Sequence, residues 1–462
     1  MLTYDLKKKE RNPLYEQLYK CIRDDIINGD IGAGERLPSK RSLAAHLGIS
    51  ITTVENAYGH LRAEGYVKAM PNSGFYVTDN YKEGKNGSAG AYESEARLEI
   101  GSIDDSVNEK LFPISVWTKL MRQVISDTNI SLLHKVPWNG VFMLREAISN
   151  YLRSYKGINA DPDRIVVGAG TEYLYSRLLQ LLGPSAIIGY EDPGYRRLPQ
   201  IATKNGIMQR FVSIDDQGMS VEKLRESNAN VVHVSPGNHF PTGAVMSRER
   251  REELISWADE DPYRFIIEFD YDSEFAEKGR PIPTLFSMDQ SDRVIYMNSF
   301  SRTLVPSIQI SYMILPQSLY QLYRQSQDFY ACTVSGFEQL TLARFISDGY
   351  FERHLNRLRN SYREKRDAFC EAIEDSALKD KITIESKTVS THLLMCVNTS
   401  MSDDEIRERS KAAGVQMSLL SDYCQFPKVS NLHTMIINYA GIEKEEIGQA
   451  IDMICQILKI DP

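Results

Sequence analysis

Apolar residues recur every four positions at Leu14, Leu18, Ile22 and Ile26, one stripe of a helix that Gly29 and the segment GAGERLPS bring to an end. SKRSLAAHLG predicts a second, shorter helix, with Ser39 as N-cap, Leu43, Ala44 and Leu47 facing inward and Gly48 as a tight turn. Ser50 can cap a third helix, whose buried face is Val54, Ala57, Tyr58 and Leu61 and whose stop is Gly65. YVKAMPNSGFYV then alternates into two short strands around Pro71–Gly74.

Helix, short helix, glycine turn, capped helix and hairpin is the order of a winged helix-turn-helix module, here over residues 1–77. Its third helix would enter the major groove by its N-terminal end, where Thr52, Thr53 and Asn56 are exposed hydrogen-bonding side chains. The polar stretch TDNYKEGKNGSAGAYESEAR has almost no apolar anchor and predicts a flexible linker over 78–97. From Leu98 the pattern changes. RIVVGAGTEYLYSRLLQLL predicts a strand, a glycine turn and a helix, while AIIGYEDPGY, NVVHVSP, FIIEFDYD and RVIYMNSF are short β-rich runs ending in loops. Such alternation predicts an α/β domain over 98–462, with a mostly parallel sheet and functional residues at strand ends. ITIESKTVSTHLLMCV, SDDEIRERSKAAG and TMIINYAG predict a smaller α+β lobe from about residue 350 to 462. The cleft between lobes is then the default ligand site.

A chain of 462 residues is too long for one ordinary core, in keeping with two or three domains. The net charge of −8 argues against a uniformly basic surface. Charge is uneven, however: residues 1–77 hold 11 Lys+Arg against 9 Asp+Glu, and the remainder 43 against 53. A slightly basic head on an acidic body fits an N-terminal nucleic-acid module. The six cysteines include no C-x-x-C pair, which suits reduced thiols rather than a disulfide framework or zinc site, so no metal is expected. MLTYDLKKKE lacks the apolar core of a signal peptide, and no run approaches the ~18 apolar residues of a membrane span. A cytoplasmic protein with no membrane partner is the expectation. No H-E-x-x-H, paired-carboxylate or Ser-His-Asp constellation is visible; His239 and His392 lie in motif regions, with hydrogen-bonded structural roles expected.

PLYEQLYKCIRDDIINGDIGAGERLPSKRSLAAHLGIS, TVENAYGHLRAEGYV and SGFYV closely resemble the GntR family of bacterial regulators. The resemblance implies phosphate and base contacts from Arg41 and from Ser50–Thr53, with Ser73 and Gly74 at the wing tip; Ser39, at the start of the second helix, belongs to the same DNA-facing set. Ile51 stands where members often carry Arg or Lys, so that contact becomes apolar or is lost. Further on, FPISVW, GVFMLREAISNYLRSYKGINADPDRIVVGAG, YEDPGY, FPTG, DYDSEF, GRPIPTL and NSFSRTLVPSIQISYMILP follow in order the domain of MocR/GabR-type regulators. These join a GntR winged helix to a fold-type-I aminotransferase-like domain that normally binds pyridoxal phosphate (PLP). The resemblance covers essentially the whole chain apart from the linker. It implies a multidomain protein, an α+β DNA-binding head on an α/β PLP-transferase-like body.

Each requirement of PLP chemistry can then be held against a residue. The Schiff base needs a lysine amine, and the matching position is Arg302, a guanidinium that stays charged and forms no stable imine. The pyridine nitrogen needs a carboxylate; where the family reads Glu-Asp-Asp-Tyr this chain has Glu268-Phe269-Asp270-Tyr271, so the matching residue is Phe269. The arginine that usually neutralises the phosphate is replaced by Gln309. The phosphate cradle partly survives in Gly170, Thr171, Ser299 and Ser301, with Glu172 in place of a frequent glutamine, repulsive to a phosphate unless Arg302 neutralises it. Tyr195 matches an aromatic wall, Tyr271 would face the same space, and Arg196 and Arg197 are candidate ligand-binding cations. Arg302 either holds an anionic ligand group or plugs the cavity by pairing with Glu172 or Asp270. In SPGNHFPTG, Gly237-Asn238 stands where Ser-His is frequent, altering the ligand wall.

The expectation is a transcription regulator that binds a double-stranded operator, dimerises through its C-terminal domain and senses a small-molecule effector, with no covalent PLP, no cofactor and no catalytic residue. The alternatives are a regulator that holds PLP noncovalently and an aminotransferase with a vestigial DNA module.

Overall fold

The computed structural model describes residues 2–4, 6, 13–63, 65–70, 74–78, 109–126, 134–270, 273–275, 283–385, 390–425 and 432–460. Expectations that fall on Tyr271, on Ser73 and on the linker residues 79–97 lie outside them. Two units emerge, Met1–Ala96 and Arg97–Pro462.

In the first unit the four-residue stripe becomes α1 (Leu14–Asn28), which buries Leu18, Ile22 and Ile26. Helix α2 (Lys40–Leu47) starts at Ser39, whose hydroxyl accepts the Ser42 N–H at 3.1 Å. It ends at Gly48, held at φ 64°, a left-handed conformation that costs a side chain but not glycine. Helix α3 (Ile51–Ala63) packs Val54, Ala57, Tyr58 and Leu61 into the same small core. The Tyr58 hydroxyl donates to the Pro38 carbonyl at 2.9 Å and ties α3 to the start of α2. Strands β1 (Val67–Met70) and β2 (Gly74–Val77) pair antiparallel as the wing, with Val67 opposite Val77. Thr78 still belongs to this unit: its hydroxyl donates to the Gly65 carbonyl at 2.7 Å.

The second unit is built on a sheet whose described strands are β3 (Ile165–Ala169), β4 (Ile187–Asp192), β5 (Met208–Asp215), β6 (Gly218–Met219), β7 (Val231–Val234), β8 (Phe265–Phe269), β9 (Val294–Ser299) and β10 (Ile310–Ile314). Their spatial order is β3-β10-β9-β8-β7-β4-β5-β6. From β9 to β5 every pairing is parallel; β10 runs antiparallel between β9 and β3, and β6 antiparallel to β5. Val231–Val234 is buried throughout, as a strand covered on both faces must be. Gly168 is demanded by packing, since a Cβ there would lie 2.6 Å from Leu174 of the following helix, Thr171–Leu182. The carboxyl ends of β3, β4, β7, β8 and β9 therefore open at one edge, together with the start of β10. The C-terminal lobe carries a separate antiparallel sheet of β11 (Ile382–Glu385), β12 (Leu393–Asn398), β13 (Ser418–Leu419) and β14 (Leu432–Ile437), ordered β11-β12-β14-β13. Among the described residues no helix is long and apolar enough to cross a membrane.

Candidate functional site

A cavity of about 200 Å³ lies at that strand-end edge, where a ligand is expected in an α/β sheet. It brings together residues far apart in the chain. Gly170 and Thr171 come from the end of β3 and the helix after it, and Tyr195 and Arg197 from the segment after β4. Phe269 ends β8, Ser299 and Ser301 leave β9 with Arg302, and Gln309 precedes β10. Gly170 caps the helix Thr171–Leu182 at φ 85°, aiming the first N–H groups at the cavity. The Ser301 hydroxyl donates to the Ile308 carbonyl at 3.1 Å, and the Ser299 hydroxyl donates to Ser301 at 3.2 Å, so this loop is fixed before any ligand binds.

The charges are partnered differently from the sequence expectation. Arg302 donates to the Thr391 hydroxyl at 2.7 Å, just before β12 of the small lobe, rather than closing on Glu172 or Asp270. Glu172 has Arg197 at 3.8 Å, so the nearby cation that offsets its charge is Arg197. Asp270 turns to a buried network instead: Lys156 approaches Asp270 at 2.5 Å and Glu274 at 2.7 Å and donates to Ser273 at 2.7 Å, and the Tyr296 hydroxyl donates to Asp270 at 2.5 Å. Burial opposes the charge on Lys156, but the two carboxylates outweigh it and hold its pKa well above normal. Burial also opposes ionisation of Asp270, which Lys156 overcomes; at Glu274 burial wins and the pKa rises. No described lysine lines the cavity.

Arg196 does not reach the cavity: its side chain donates to the Asp422 carbonyl at 2.9 Å and lines a neighbouring recess. Arg196 is the N-cap of the helix Arg197–Lys204, where a change of 100° per residue sends two adjacent arginines apart. His239 and His392 do not line the cavity either. His239 Nδ1 is 2.7 Å from the Thr242 hydroxyl, and His392 Nε2 is 3.1 Å from the Pro241 carbonyl.

Among the lining residues to which the sequence assigned no role are the buried Glu191 and His233. Burial pushes the Glu191 carboxyl up to about 8, against the Ser235 N–H it accepts at 3.0 Å. Burial also lowers His233 to about 4, so the ring is neutral. The available signal was a histidine inside the otherwise apolar run VVHV and a carboxylate closing the β-rich run IIGYE.

In the first unit, the start of α3 carries Thr52 and Asn56 on its exposed face, with Ile51 48 % exposed beside them. Arg41 is exposed on α2. Thr53 departs from the expectation of a fully exposed group. It is half-buried, and its hydroxyl lies 2.8 Å from that of Ser50, which also caps the Thr53 N–H at 3.1 Å. Lys40 is paired with Glu55 of α3, which offsets one positive charge on this face. Gly74 opens β2 at φ 108°.

Comparison with known proteins places both units. Residues 14–77 match the model of bacterial regulatory proteins of the gntR family, and residues 97–454 that of aminotransferases of class I and II. The HTH-type transcriptional regulator YdeL of Bacillus subtilis strain 168 is 36% identical over 97% of this chain and 97% of its own. A protein of Rhizobium meliloti described as a probable rhizopine catabolism regulatory protein, MocR, is 29% identical over 95% of this chain and 92% of its own. Among solved structures, the kynurenine aminotransferase of Pyrococcus horikoshii superposes with a TM-score of 0.70 at 22% identity, over 79% of this chain and 92% of its own, a likeness of fold.

Proposed function

The chain belongs to the MocR-type regulators, a GntR helix-turn-helix module fused to a class I and II aminotransferase domain, and from that premise we propose that its aminotransferase-like domain senses a small molecule without bonding covalently to PLP. The observation that carries the reading is Arg302 in the cavity, at the position where a Schiff base needs an amine. Phe269 lines the same cavity where the resemblance asks for a carboxylate, and Gln309 lines it where it asks for an arginine. Lys156 does not replace the missing amine, because two buried carboxylates hold it as a cation. The cavity residues thus do not fit a covalently held PLP. The Gly170–Thr171 helix start and the serine pair would suit a phosphate or carboxylate, so PLP held noncovalently is the second reading.

The DNA-binding regulator would work in the cytoplasm, on an operator with two half-sites, as a homodimer through its C-terminal unit. Self-association is supported by Ile114 and Ile125, eleven residues apart on one helix face and both more than half exposed, and by the exposed Phe142 and Met143. The test is the absorbance spectrum of the purified full-length protein before and after added PLP, followed by borohydride, alongside an amino-acid half-reaction assay. No reducible adduct and no half-reaction are expected; either would overturn the proposal. Specific DNA binding that survives deletion of residues 1–77 would overturn the assignment of the operator contacts.

A further inference from the structure

The helix Tyr350–Glu374 buries Phe351, Leu355, Leu358, Tyr362 and Phe369 along one side. Its first half is basic on an acidic body. Residues 350–363 hold four arginines and one acid, Glu352, whereas residues 78–462 together hold 43 Lys+Arg against 53 Asp+Glu. At 100° per residue, Arg353, Asn356, Arg357, Asn360 and Arg363 fall within about 120° of the helix surface, opposite the buried side. Arg353, Arg357, Asn360 and Arg363 are exposed, and Asn356 is half-buried.

The acids of this helix nearest the stripe are engaged elsewhere. Glu364 pairs with Lys444 at 2.8 Å and Asp367 with Arg366 at 3.0 Å, both past the end of the stripe, and Glu352 accepts the Tyr155 hydroxyl. Among the described residues no carboxylate pairs with Arg353, Arg357 or Arg363. Arg353 lies over the Tyr350 ring at 4.5 Å and donates to the Asp348 carbonyl at 3.2 Å. Like charges four residues apart, as at Arg353 and Arg357, weaken a helix, so the stripe gains from a polyanion laid along it. The Asn356 side-chain oxygen accepts from Arg359 at 3.0 Å, which leaves its amide N–H groups as donors. Guanidinium and amide donors together are the groups that hold DNA phosphates. Over the roughly 15 Å from Arg353 to Arg363, a duplex presents a phosphate charge about every 1.7 Å of its axis. The N-terminal unit has few cations to spare: residues 1–77 hold 11 Lys+Arg against 9 Asp+Glu, and Lys40 is paired with Glu55. Once that unit sits on DNA, the rest of the chain is held close to the flanking duplex.

We propose that this helix face is a second DNA-contact surface, by which the aminotransferase-like unit grips the phosphate backbone beside the site read by the winged helix. The inference rests on the chain being a DNA-binding regulator and is independent of what the cavity senses. The test is fluorescence anisotropy of the full-length protein on a mixed-sequence duplex of about 60 base pairs, over roughly 50–200 mM salt. Arg353→Ala, Arg357→Ala and Arg363→Ala combined should reduce the slope of log K against log salt by roughly 2–3, at about 0.9 per contact, and weaken binding roughly tenfold or more. Lysine at the same three positions should restore most of that slope, because a phosphate accepts a point charge. Should the triple alanine variant fail to fold, as tryptophan fluorescence would reveal, Arg357→Gln alone carries the test, with a slope change of about 0.9. An alanine variant with the slope and affinity of the unaltered protein overturns the inference and leaves DNA binding by the winged helix standing. Weakened binding accompanied by dissociation to a smaller species in sedimentation overturns it too, and assigns the stripe to a contact between copies of the chain. A lysine variant no better than the alanine one, or no binding of the duplex by the unaltered protein, also counts against it.

Discussion

At the start of α3 the Ser50 hydroxyl, open to solvent, both caps the Thr53 N–H and meets the Thr53 hydroxyl. In the cavity, Glu191 and His233 are buried and each leaves one polar atom unpartnered. Exposed polar groups on a helix end are cheap to keep and make contacts one at a time, each modest because water competes for it. Buried ones change protonation state, constrain their neighbours and have large effects when altered. A substitution on the DNA-facing surface, such as Ile51, therefore acts by itself, whereas one in the cavity acts on its neighbours as well. A change of purpose in a buried site must alter its partners jointly, whereas a solvated surface can be altered piecemeal.

The largest effect expected from breaking this contrast is in the cavity. Arg302→Lys alone should allow an imine but no transamination, because Phe269 still withholds a carboxylate from the pyridine nitrogen and Gln309 a charge from the phosphate. Adding Phe269→Asp and Gln309→Arg should tighten PLP binding ten- to a hundredfold over the single variant, about 1.5–3 kcal/mol for a regained charge-assisted contact. Absorbance-followed PLP titration decides it, and transaminase turnover by the single variant would contradict the expectation.

A middle-sized effect concerns pH. The Glu191 carboxyl sits at about 8 when folded, against an ordinary 4.5, so folding favours its protonated form. Its stabilising contribution is complete below the ordinary value and is lost as pH rises through about 8. His233 and His239 work in the opposite sense, but below their ordinary 6.5. Between pH 6.5 and 8, unfolding of the effector unit should therefore lose roughly 2 kcal/mol that Glu191→Gln does not lose. All 3 tryptophans, Trp117, Trp138 and Trp257, lie in that unit, so their fluorescence in urea reports it without interference from the DNA-binding module. Parallel pH profiles for the two proteins would count against the buried, protonated carboxyl.

The smallest effect belongs to the surface. Arg41→Ala should weaken binding to all DNA sequences alike and reduce the slope of log K against log salt by roughly 0.9, the release of counterions from one phosphate contact. A loss confined to one operator sequence would mean that Arg41 reads a base instead. Titrations at several salt concentrations separate the two.

By itself the sequence determined what is local or periodic. The stripe in α1, the caps at Ser39 and Ser50, the turn at Gly48 and the apolar runs of β4, β7, β8 and β9 are all settled within a few residues, because propensity, capping and burial periodicity act over one or two turns. Side-chain chemistry is likewise set by the sequence, since no fold turns Arg302 into an amine or Phe269 into an acid. Only the tertiary structure decided who meets whom. Asp270, one residue beyond Phe269, turns to Lys156, 114 positions away; Arg197 and not Arg196 lines the cavity; Arg302 reaches Thr391 across 89 positions; and Glu191 and His233 each keep one buried polar atom without a hydrogen bond. Those pairings depend on how strands and lobes pack, and packing energies of buried charges are set by partners that no local window contains.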